Sequence, residues 1–203
     1  RSRTLELELT CKDGSTVWTE SKMNFLRGPD GGVVGIFGVT RDITRRRAFE
    51  AALRESEERF RTIFEESPIA IELYDSEGTL MQINRACVDM FGIVDVADTK
   101  EFNIFKDPNM PEDAKKKMSR GEAAKYGYAF DFEKVKKHNL YRTTKSGVIY
   151  VDVLATPLGL KSEGTLKGYM LEVQDVTWRK QAEDRVHSLM QQLIKAQETE
   201  RQR

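Results

Sequence analysis

The sequence contains few of the residues on which several kinds of protein depend. It has 2 cysteines and 2 histidines in 203 residues, and Cys11 and Cys87 fit no metal-binding or redox spacing. No apolar run approaches the roughly 20 residues that a membrane-spanning helix needs, and no signal peptide is visible. We therefore expect reduced thiols, no membrane span in this chain and a cytoplasmic location.

An excess of charge of one sign is also lacking. Lys and Arg together number 33, Asp and Glu together number 33, and the formal net charge is +0. This balance argues against a general electrostatic attraction to nucleic acid, so we expect no nucleic-acid partner. The charged residues concentrate at 45–66 and 178–203, which are two candidate helices.

Catalytic patterns are absent too. No glycine-rich phosphate loop follows a predicted strand, and no Ser/His/Asp or Cys/His set has a meaningful spacing. The 2 histidines have no carboxylate cluster near them in the sequence that would make a strong metal site. The sequence therefore predicts no catalytic residues and no metal site in this chain.

One stretch of the chain occurs twice. Residues 10–44 and 143–177 align without a gap, so that three glycines and an Asp-[Ile/Val]-Thr sequence recur. Each copy predicts a strand, a tight glycine turn, a long strand, a loop, a strand and the start of a helix, so one supersecondary unit is used twice. The matched pairs are Gly14/Gly147, Gly31/Gly164, Gly35/Gly168, Asp42/Asp175 and Thr44/Thr177.

The order of the predicted elements defines a fold class. After the first charged helix come two short strands, a helix capped by Asn84, and a second helix that opens at Pro111. A strand of alternating aromatic residues from Tyr126 to Phe132 then leads into the second copy of the repeat. The order β-β-α-α-β-β-β predicts an α+β fold, in which an antiparallel five-stranded sheet carries its helices on one face.

Several short motifs after the first charged helix belong together. They are residues 60–64, Ser67-Pro68, residues 75–78, Asn84-Arg85-Ala86, Phe91-Gly92, residues 145–147, Asp175-Val176-Thr177 and residues 178–180. With these motifs residues 59–178 resemble a PAS domain, and residues 1–44 resemble the C-terminal half of a second one. The Asp-[Ile/Val]-Thr ending before a charged helix is a frequent exit of PAS domains. The resemblance implies a sensory or dimerising module that helices couple to an output domain.

Four side chains mark the two strand-to-helix exits: Asp42 and Thr44 in the first copy, Asp175 and Thr177 in the second. Short oxygen-bearing side chains suit such a junction, because they can accept hydrogen bonds from the first N–H groups of the helix. We expect a structural joint here, at the place where the resemblance puts the exit of a signal.

The resemblance divides the chain into four parts. Residues 1–44 are the C-terminal strands of a truncated first PAS domain, 45–66 a linker helix, 67–178 a complete PAS domain, and 179–203 a coiled-coil signalling helix that leads to an output domain.

The last residues, 197–203, resemble the segment before the phosphotransfer helix of one class of histidine kinase. We therefore expect the PAS module of a two-component sensor histidine kinase, whose partner is a response regulator. The alternatives are a passive dimerisation scaffold and a PAS input to a cyclase or a DNA-binding output.

Both charged helices carry apolar residues three and four positions apart. In the first, the pattern runs from Phe49 to Ile63 and fits either a coiled coil or an amphipathic helix docked on its own domain. In the last helix the pattern is sustained, so we expect a homodimer with a coiled-coil seam. The seam residues are Ala182, Val186, Leu189, Leu193 and Ala196.

The resemblance also implies an interior pocket, which PAS domains fill with haem, flavin, a small metabolite or nothing. Residues 111–120 lack the histidine that would hold haem, and Cys87 lies outside the Asn-Cys-Arg motif of flavin photoreceptors. We predict no cofactor and a filled core, with a small apolar ligand as the alternative. The candidate wall residues are Ile71, Leu73, Ile83, Met90, Phe91, Ile104, Phe105, Tyr128, Phe130, Ile149, Val151, Val153, Tyr169, Leu171 and Val173, and Asn84, Arg85, Tyr126 and Tyr128 could supply polar groups.

Overall fold

The chain forms two compact units, Arg1–Thr62 and Ile63–Arg203. The computed structural model describes residues 3–159 and 165–201. None of the helices within these ranges is both long enough and apolar enough to span a membrane.

The first unit contains a three-stranded antiparallel sheet followed by a helix. Strand β1 (Arg3–Thr10) pairs with β2 (Thr16–Arg27), which pairs with β3 (Val33–Asp42). The sequence predicts strands at about 4–11, 15–26 and 33–43, so each strand begins and ends within one residue of its predicted bounds. Gly14, in the turn between β1 and β2, has a φ of 82°, which a residue with a Cβ rarely adopts. Helix α1 (Thr44–Glu66) follows and continues into the second unit.

The second unit contains a five-stranded antiparallel sheet in the order β5-β4-β8-β7-β6. This sheet confirms the predicted α+β fold with one antiparallel sheet. Its strands are β4 (Ala70–Asp75), β5 (Leu80–Ile83), β6 (Ala124–Asp131), β7 (Val148–Leu158) and β8 (Gly168–Asp175).

Helices and sheet share one hydrophobic core in the second unit. Buried side chains of the three short helices, among them Phe91, Met118 and Val135, join the inward-facing strand residues Val153 and Leu171. The helices are α2 (Arg85–Phe91), α3 (Glu112–Ser119), α4 (Phe132–Lys137) and the long C-terminal α5 (Thr177–Arg201), with short 3₁₀ helices at Val96–Thr99 and Ile104–Lys106.

The predicted start and end of α2 are confirmed in atomic detail. The Asn84 side chain accepts a hydrogen bond from the Cys87 N–H at 3.0 Å, and Gly92 closes the helix with a left-handed φ of 60°. The Asn84 amide also donates to the Phe64 and Ile69 carbonyls. One fully hydrogen-bonded asparagine therefore joins the end of α1, the start of β4 and the start of α2.

Two predictions about the second copy of the repeat were wrong. Phe132 does not extend β6: the Asp131 side chain accepts a hydrogen bond from the Glu133 N–H at 2.9 Å, so the chain turns into α4 there. The stretch before Gly147 is not a strand, and β6 takes the place that β1 holds in the first copy. The connection is longer because α4 is inserted within it.

The repeat also aligns with a one-residue gap that the sequence comparison did not include. Thr19 of β2 lies opposite Asp42, whereas Val151 of β7 lies opposite Asp175. Thr19 therefore corresponds to Val151, and both are buried. Without the gap, Thr19 would match Asp152, and every side chain of the strand would change face. Gly164, the predicted partner of Gly31, lies outside the described residues.

Candidate functional site

An interior cavity lies between the sheet and the short helices of the second unit. It offers about 30 Å³ to the centres of water-sized molecules, which is room for about two waters. Its wall is apolar in large part, with residues such as Ile83 and Val173, but polar groups also converge on it. The polar lining residues are Glu72, Tyr74, Cys87, Thr99, Asp107, Tyr128 and Tyr141.

Glu72 projects from β4 into this cavity. Its Oε2 accepts a hydrogen bond from the Tyr74 hydroxyl at 2.7 Å, and its Oε1 accepts one from the Cys87 thiol at 3.4 Å. Burial raises the pKa of Glu72, and it raises the pKa of Tyr74 and of Cys87 well above their ordinary values. The cavity therefore holds a carboxyl group that favours its protonated form more than a solvated one does.

Asp107 supplies the second carboxyl group, from the segment after the second 3₁₀ helix. The residue is 3% exposed, and its Oδ1 accepts a hydrogen bond from the Asn109 N–H at 2.9 Å. Burial raises the pKa of Asp107, while the Asn109 hydrogen bonds and the charges of Lys115 and Lys134 act in the opposite direction. Two carboxyl groups from separate parts of the chain thus face one cavity.

Three tyrosines border the two carboxyl groups. Burial raises the pKa of Tyr126, Tyr128 and Tyr141, so their hydroxyls remain neutral donors at physiological pH. The Tyr126 and Tyr128 rings stack with centroids 5.9 Å apart, and the Tyr141 ring meets Phe102 edge-on at 6.2 Å. The side of the cavity formed by β6 and by the connection after α4 is therefore aromatic.

An outer groove adjoins the cavity. The groove offers about 500 Å³, and Phe102, Leu140 and Tyr141 line both spaces, so these three side chains form the partition between them. Arg142 and Asp98 also line the groove and make an ion pair at 2.6 Å, which lowers the pKa of Asp98. The partition therefore separates the cavity from this groove.

The structure places eight of the fifteen predicted wall residues around the cavity. They are Ile83, Phe91, Ile104, Tyr128, Phe130, Val153, Leu171 and Val173. The seven that do not line it are Ile71, Leu73, Met90, Phe105, Ile149, Val151 and Tyr169, although Val151 and Tyr169 are buried in the surrounding core.

The alternation of β4 explains part of this difference. Glu72 lies opposite Leu171 and faces the cavity, so the neighbouring Ile71 and Leu73 point to the other face of the sheet. Hydrophobicity alone favours Ile71 and Leu73 as core residues. The signal that identifies Glu72 is its register against the inward-facing residues of β8, which requires the strand pairing to be known.

Neither histidine lines the cavity. The His138 ring nitrogen Nδ1 lies 2.9 Å from the Lys134 carbonyl at the end of α4, and His187 lies on α5 beside Gln191. Over residues 3–159 and 165–201, no three His, Cys, Asp or Glu side chains come together as a metal site. The expectation of no cofactor stays a prediction.

The exit of the first copy is fixed by three contacts. The Asp42 Oδ1 accepts a hydrogen bond from the Thr44 N–H at 2.8 Å, and the Thr44 hydroxyl accepts one from the Trp18 N–H at 2.9 Å. The guanidinium group of Arg46 then pairs with Glu20 of β2 at 3.4 Å. These contacts tie the first turn of α1 to the middle strand of its sheet.

The exit of the second copy repeats the same three contacts. The Asp175 Oδ1 accepts from the Thr177 N–H at 2.8 Å, and the Thr177 hydroxyl accepts from the Tyr150 N–H at 2.9 Å. Arg179 pairs with Asp152 of β7 at 2.7 Å. The first turn of α5 is therefore fastened to the sheet as the first turn of α1 is.

The predicted seam lies along an exposed stripe of α5. Val186 is 54%, Leu189 53% and Leu193 65% exposed, and Ala182 is half-buried. The side chain of Ala196 lies outside the described residues. The exposed stripe is a surface on which another apolar surface could pack.

The fold defines the second unit as an α+β domain that encloses a small cavity. Two family models described as PAS domain match the chain, one over residues 58–121 and the other over residues 1–45. Together they cover more than half of the chain. The chain belongs to the PAS domain family.

One curated relative aligns with most of the chain. The chain is 27% identical over 181 residues to a protein of Sinorhizobium fredii described as "Uncharacterized protein y4lL". The alignment covers 88% of this chain and 21% of that protein, so the chain spans about a fifth of the length of the relative.

Several solved structures are similar at low identity. The PAS domain of an HTR-like protein from Haloarcula marismortui is 19% identical, with a TM-score of 0.46 over 64% of this chain and 98% of that one. The PAS domain of BvgS from Bordetella pertussis is 23% identical, with a TM-score of 0.44 over 68% and 98%. A domain of a sensor histidine kinase/response regulator from Geobacter sulfurreducens is 15% identical, with a TM-score of 0.44 over 61% and 96%.

Proposed function

We propose that this chain is a sensory and dimerising module of a two-component sensor histidine kinase. In this proposal the PAS domain of the second unit receives a signal, and α5 passes it to a kinase core in the cytoplasm. The observation that carries the proposal is the exposed apolar stripe of α5, in particular Leu189 and Leu193, which follows directly from the exit junction. The kinase would act on a response regulator.

The junction supplies a physical means of coupling. Because Thr177 and Arg179 both bond to β7, a change in the twist or position of that strand would turn the first turn of α5 with it. A helical seam that packs in two alternative ways would convert this turn into two output states. The proposal therefore requires the helix to be rigidly joined at the sheet and adaptable along the seam.

The domain layout follows the same reasoning. We assign residues 1–44 to the C-terminal strands of a first PAS domain, 45–66 to a linker helix, 67–178 to the second PAS domain and 179–203 to the signalling helix. The family-model match to residues 1–45 and the repetition of the exit contacts support this layout.

The kinase output rests on the sequence at the end of α5. Residues 197–203 resemble the segment that precedes the phosphotransfer helix of one class of histidine kinase. Sequencing the gene downstream of Arg203 tests this assignment. A phosphoacceptor histidine within the following helix supports the kinase output. A cyclase or DNA-binding domain there would contradict the kinase output and identify that domain as the output instead.

The dimer is tested by replacing Leu189 or Leu193 with aspartate. A charged group at the centre of an apolar helix pair would lose hydration without gaining a partner, so we expect the sedimentation coefficient to fall to that of a monomer. The matched control is Gln191→Asp, which places the same charge on the opposite side of α5. Circular dichroism should show that all three variants remain folded. A dimer that persists in both leucine variants would mean that the seam is not the main interface.

A passive dimerisation scaffold is the second candidate. The small volume of the cavity, about 30 Å³, favours it, because a nearly filled core leaves little space for a signal molecule. The two candidates differ in one measurable respect: in a scaffold, no small molecule that enters the cavity changes the sedimentation behaviour or the conformation of α5.

A further inference from the structure

Resting on the proposed sensory role, we propose that the cavity of the second unit binds a small organic cation, an alkylammonium ion. The ammonium group would lie between the carboxyl groups of Glu72 and Asp107 and the surrounding aromatic rings. The inference concerns the chemical class of the ligand and depends on the composition, volume and access of one cavity.

The charges in the cavity wall are of one sign. Glu72 and Asp107 line it, and none of the described residues that line it is a Lys, Arg or His. The titratable groups that act on Glu72 are Tyr74, Cys87 and Asp107, which are neutral or negative. Burying a carboxylate is unfavourable unless the group takes up a proton or a positive charge compensates it, and for Glu72 the wall supplies no positive charge. A bound cation would provide that compensation.

Aromatic rings complete the binding surface. Tyr74, Tyr128 and Tyr141 line the cavity together with three phenylalanines. The face of an aromatic ring attracts a cation, and the attraction grows when the cation is removed from water. The same wall disfavours a carboxylate or phosphate ligand, because Glu72 and Asp107 line it and no described lining residue is basic, although the charges of Lys115 and Lys134 reach Asp107. Rings and carboxyl groups together select for an organic ammonium ion.

Hydrogen-bonding capacity remains in the wall. Each oxygen of the Glu72 carboxylate accepts one hydrogen bond from the protein, and a carboxylate oxygen can accept two. The hydroxyls of Tyr128 and Tyr141 have no hydrogen-bond partner within the described part of the chain. An ammonium group, which is a donor only, therefore finds acceptors on more than one side of the cavity.

Volume limits the ligand. The 30 Å³ of the cavity fits about two non-hydrogen atoms, which is the size of methylammonium. A longer alkyl chain would have to pass between Phe102, Leu140 and Tyr141 into the outer groove of about 500 Å³. The geometry thus favours a primary amine with a narrow chain, held at its charged end.

The first test is titration of the 203-residue chain with methylammonium chloride, followed by the NMR signals of ¹³C-labelled tyrosine rings. We expect saturable shifts of Tyr128 and Tyr141, with a dissociation constant of roughly millimolar order, because two heavy atoms limit the attainable affinity. Methanol, which has the same number of heavy atoms and no charge, and acetate, which is an anion, should give no saturable shift. Equal binding of methanol, or no saturable shift with methylammonium, overturns the inference.

Variants locate the site. Glu72→Gln keeps the size of the side chain and removes its charge, so we expect it to weaken methylammonium binding at least tenfold, and Asp107→Asn to weaken it in the same direction. The matched control is Glu172→Gln on β8, since Glu172 lies opposite Ile71 and thus on the other face of the sheet. Unchanged binding in both cavity variants, with the tyrosine spectra showing a folded domain, overturns the assigned site.

The outcome is separable from that of the proposed function. A chain that dimerises through α5 but does not bind methylammonium overturns the ligand class and leaves the dimerising module in place. A chain that binds methylammonium and sediments as a monomer supports the ligand class and contradicts the proposed dimer.

Discussion

Replacing Glu72 with glutamine should change how the free energy of unfolding of the second unit depends on pH. The side chain of Glu72 lines the cavity, where burial raises its pKa above the ordinary value of 4.5. Because its folded-state pKa is the higher one, the folded state binds more protons than the unfolded state between the two pKa values. The stability that Glu72 contributes is therefore complete below pH 4.5 and is lost as the pH rises through the folded-state pKa.

The size of the effect follows from proton linkage. One such group lowers the free energy of unfolding by at most about 1.4 kcal/mol for each pH unit between its two pKa values. Glu72→Gln removes this dependence and keeps an oxygen to accept the Tyr74 hydrogen bond. Asp107, whose pKa burial also raises, retains a dependence of the same sign in both proteins. The raised pKa values of Tyr74 and Cys87 keep these groups neutral over this range.

The assay is urea unfolding between pH 4.5 and pH 8, followed by the near-ultraviolet circular dichroism of the buried tyrosines. We expect the variant to have the flatter profile and to gain stability relative to the wild type as the pH rises. Glu172→Gln, on the opposite face of the sheet, is the control and should parallel the wild type. If the Glu72→Gln profile also parallels that of the wild type, Glu72 is ionised in the folded state without penalty and the reasoning fails.

Two further substitutions test the packing that surrounds the cavity. Asn84→Ala removes the hydrogen bonds to four backbone groups, so we expect a loss of about 3 kcal/mol or more in urea unfolding, and a loss below about 1 kcal/mol would contradict the role of this side chain. Gly168→Ala places a Cβ against the Tyr74 carbonyl and should separate β4 from β8, whereas Gly147→Ala meets nothing within 4 Å and should cost only about 1–2 kcal/mol for its left-handed φ of 77°. Equal losses in the two alanine variants would show that the Tyr74 contact does not constrain the sheet.

Much of the fold could be predicted because its signals are local. Turn glycines such as Gly14, the Asn84 cap and the alternation of apolar residues in β7 each act within a few residues of chain. For that reason the bounds of β1, β2 and β3 agree with the structure to within one residue. Helix α4 was missed because the alternation of aromatic residues runs on to Phe132, one position past the Asp131 cap that ends the strand.

The cavity could be predicted only in part, because its polar groups come from places that carry no periodic signal. Asp107 and Thr99 lie among short 3₁₀ helices, and Tyr141 lies in the connection after α4. Glu72 lies in a strand, but its inward direction is set by pairing with a strand about 100 residues later in the chain. Hydrophobicity therefore identified the apolar half of the wall and led to the expectation of a filled core, with a small apolar ligand as the alternative.

The two copies of the repeat differ most in the core and least at the exit. Buried Thr19 and Ser21 occupy β2 where β7 has the buried valines Val151 and Val153. At the exit, by contrast, each copy caps the helix with an aspartate, returns a threonine hydroxyl to the middle strand and pairs an arginine with an acid on that strand. The acid is a glutamate in one copy and an aspartate in the other, so the ion pair is kept by geometry and not by residue identity. What the copies share is the attachment of a helix to a sheet, which is the property that the proposed passing of a signal into α5 requires.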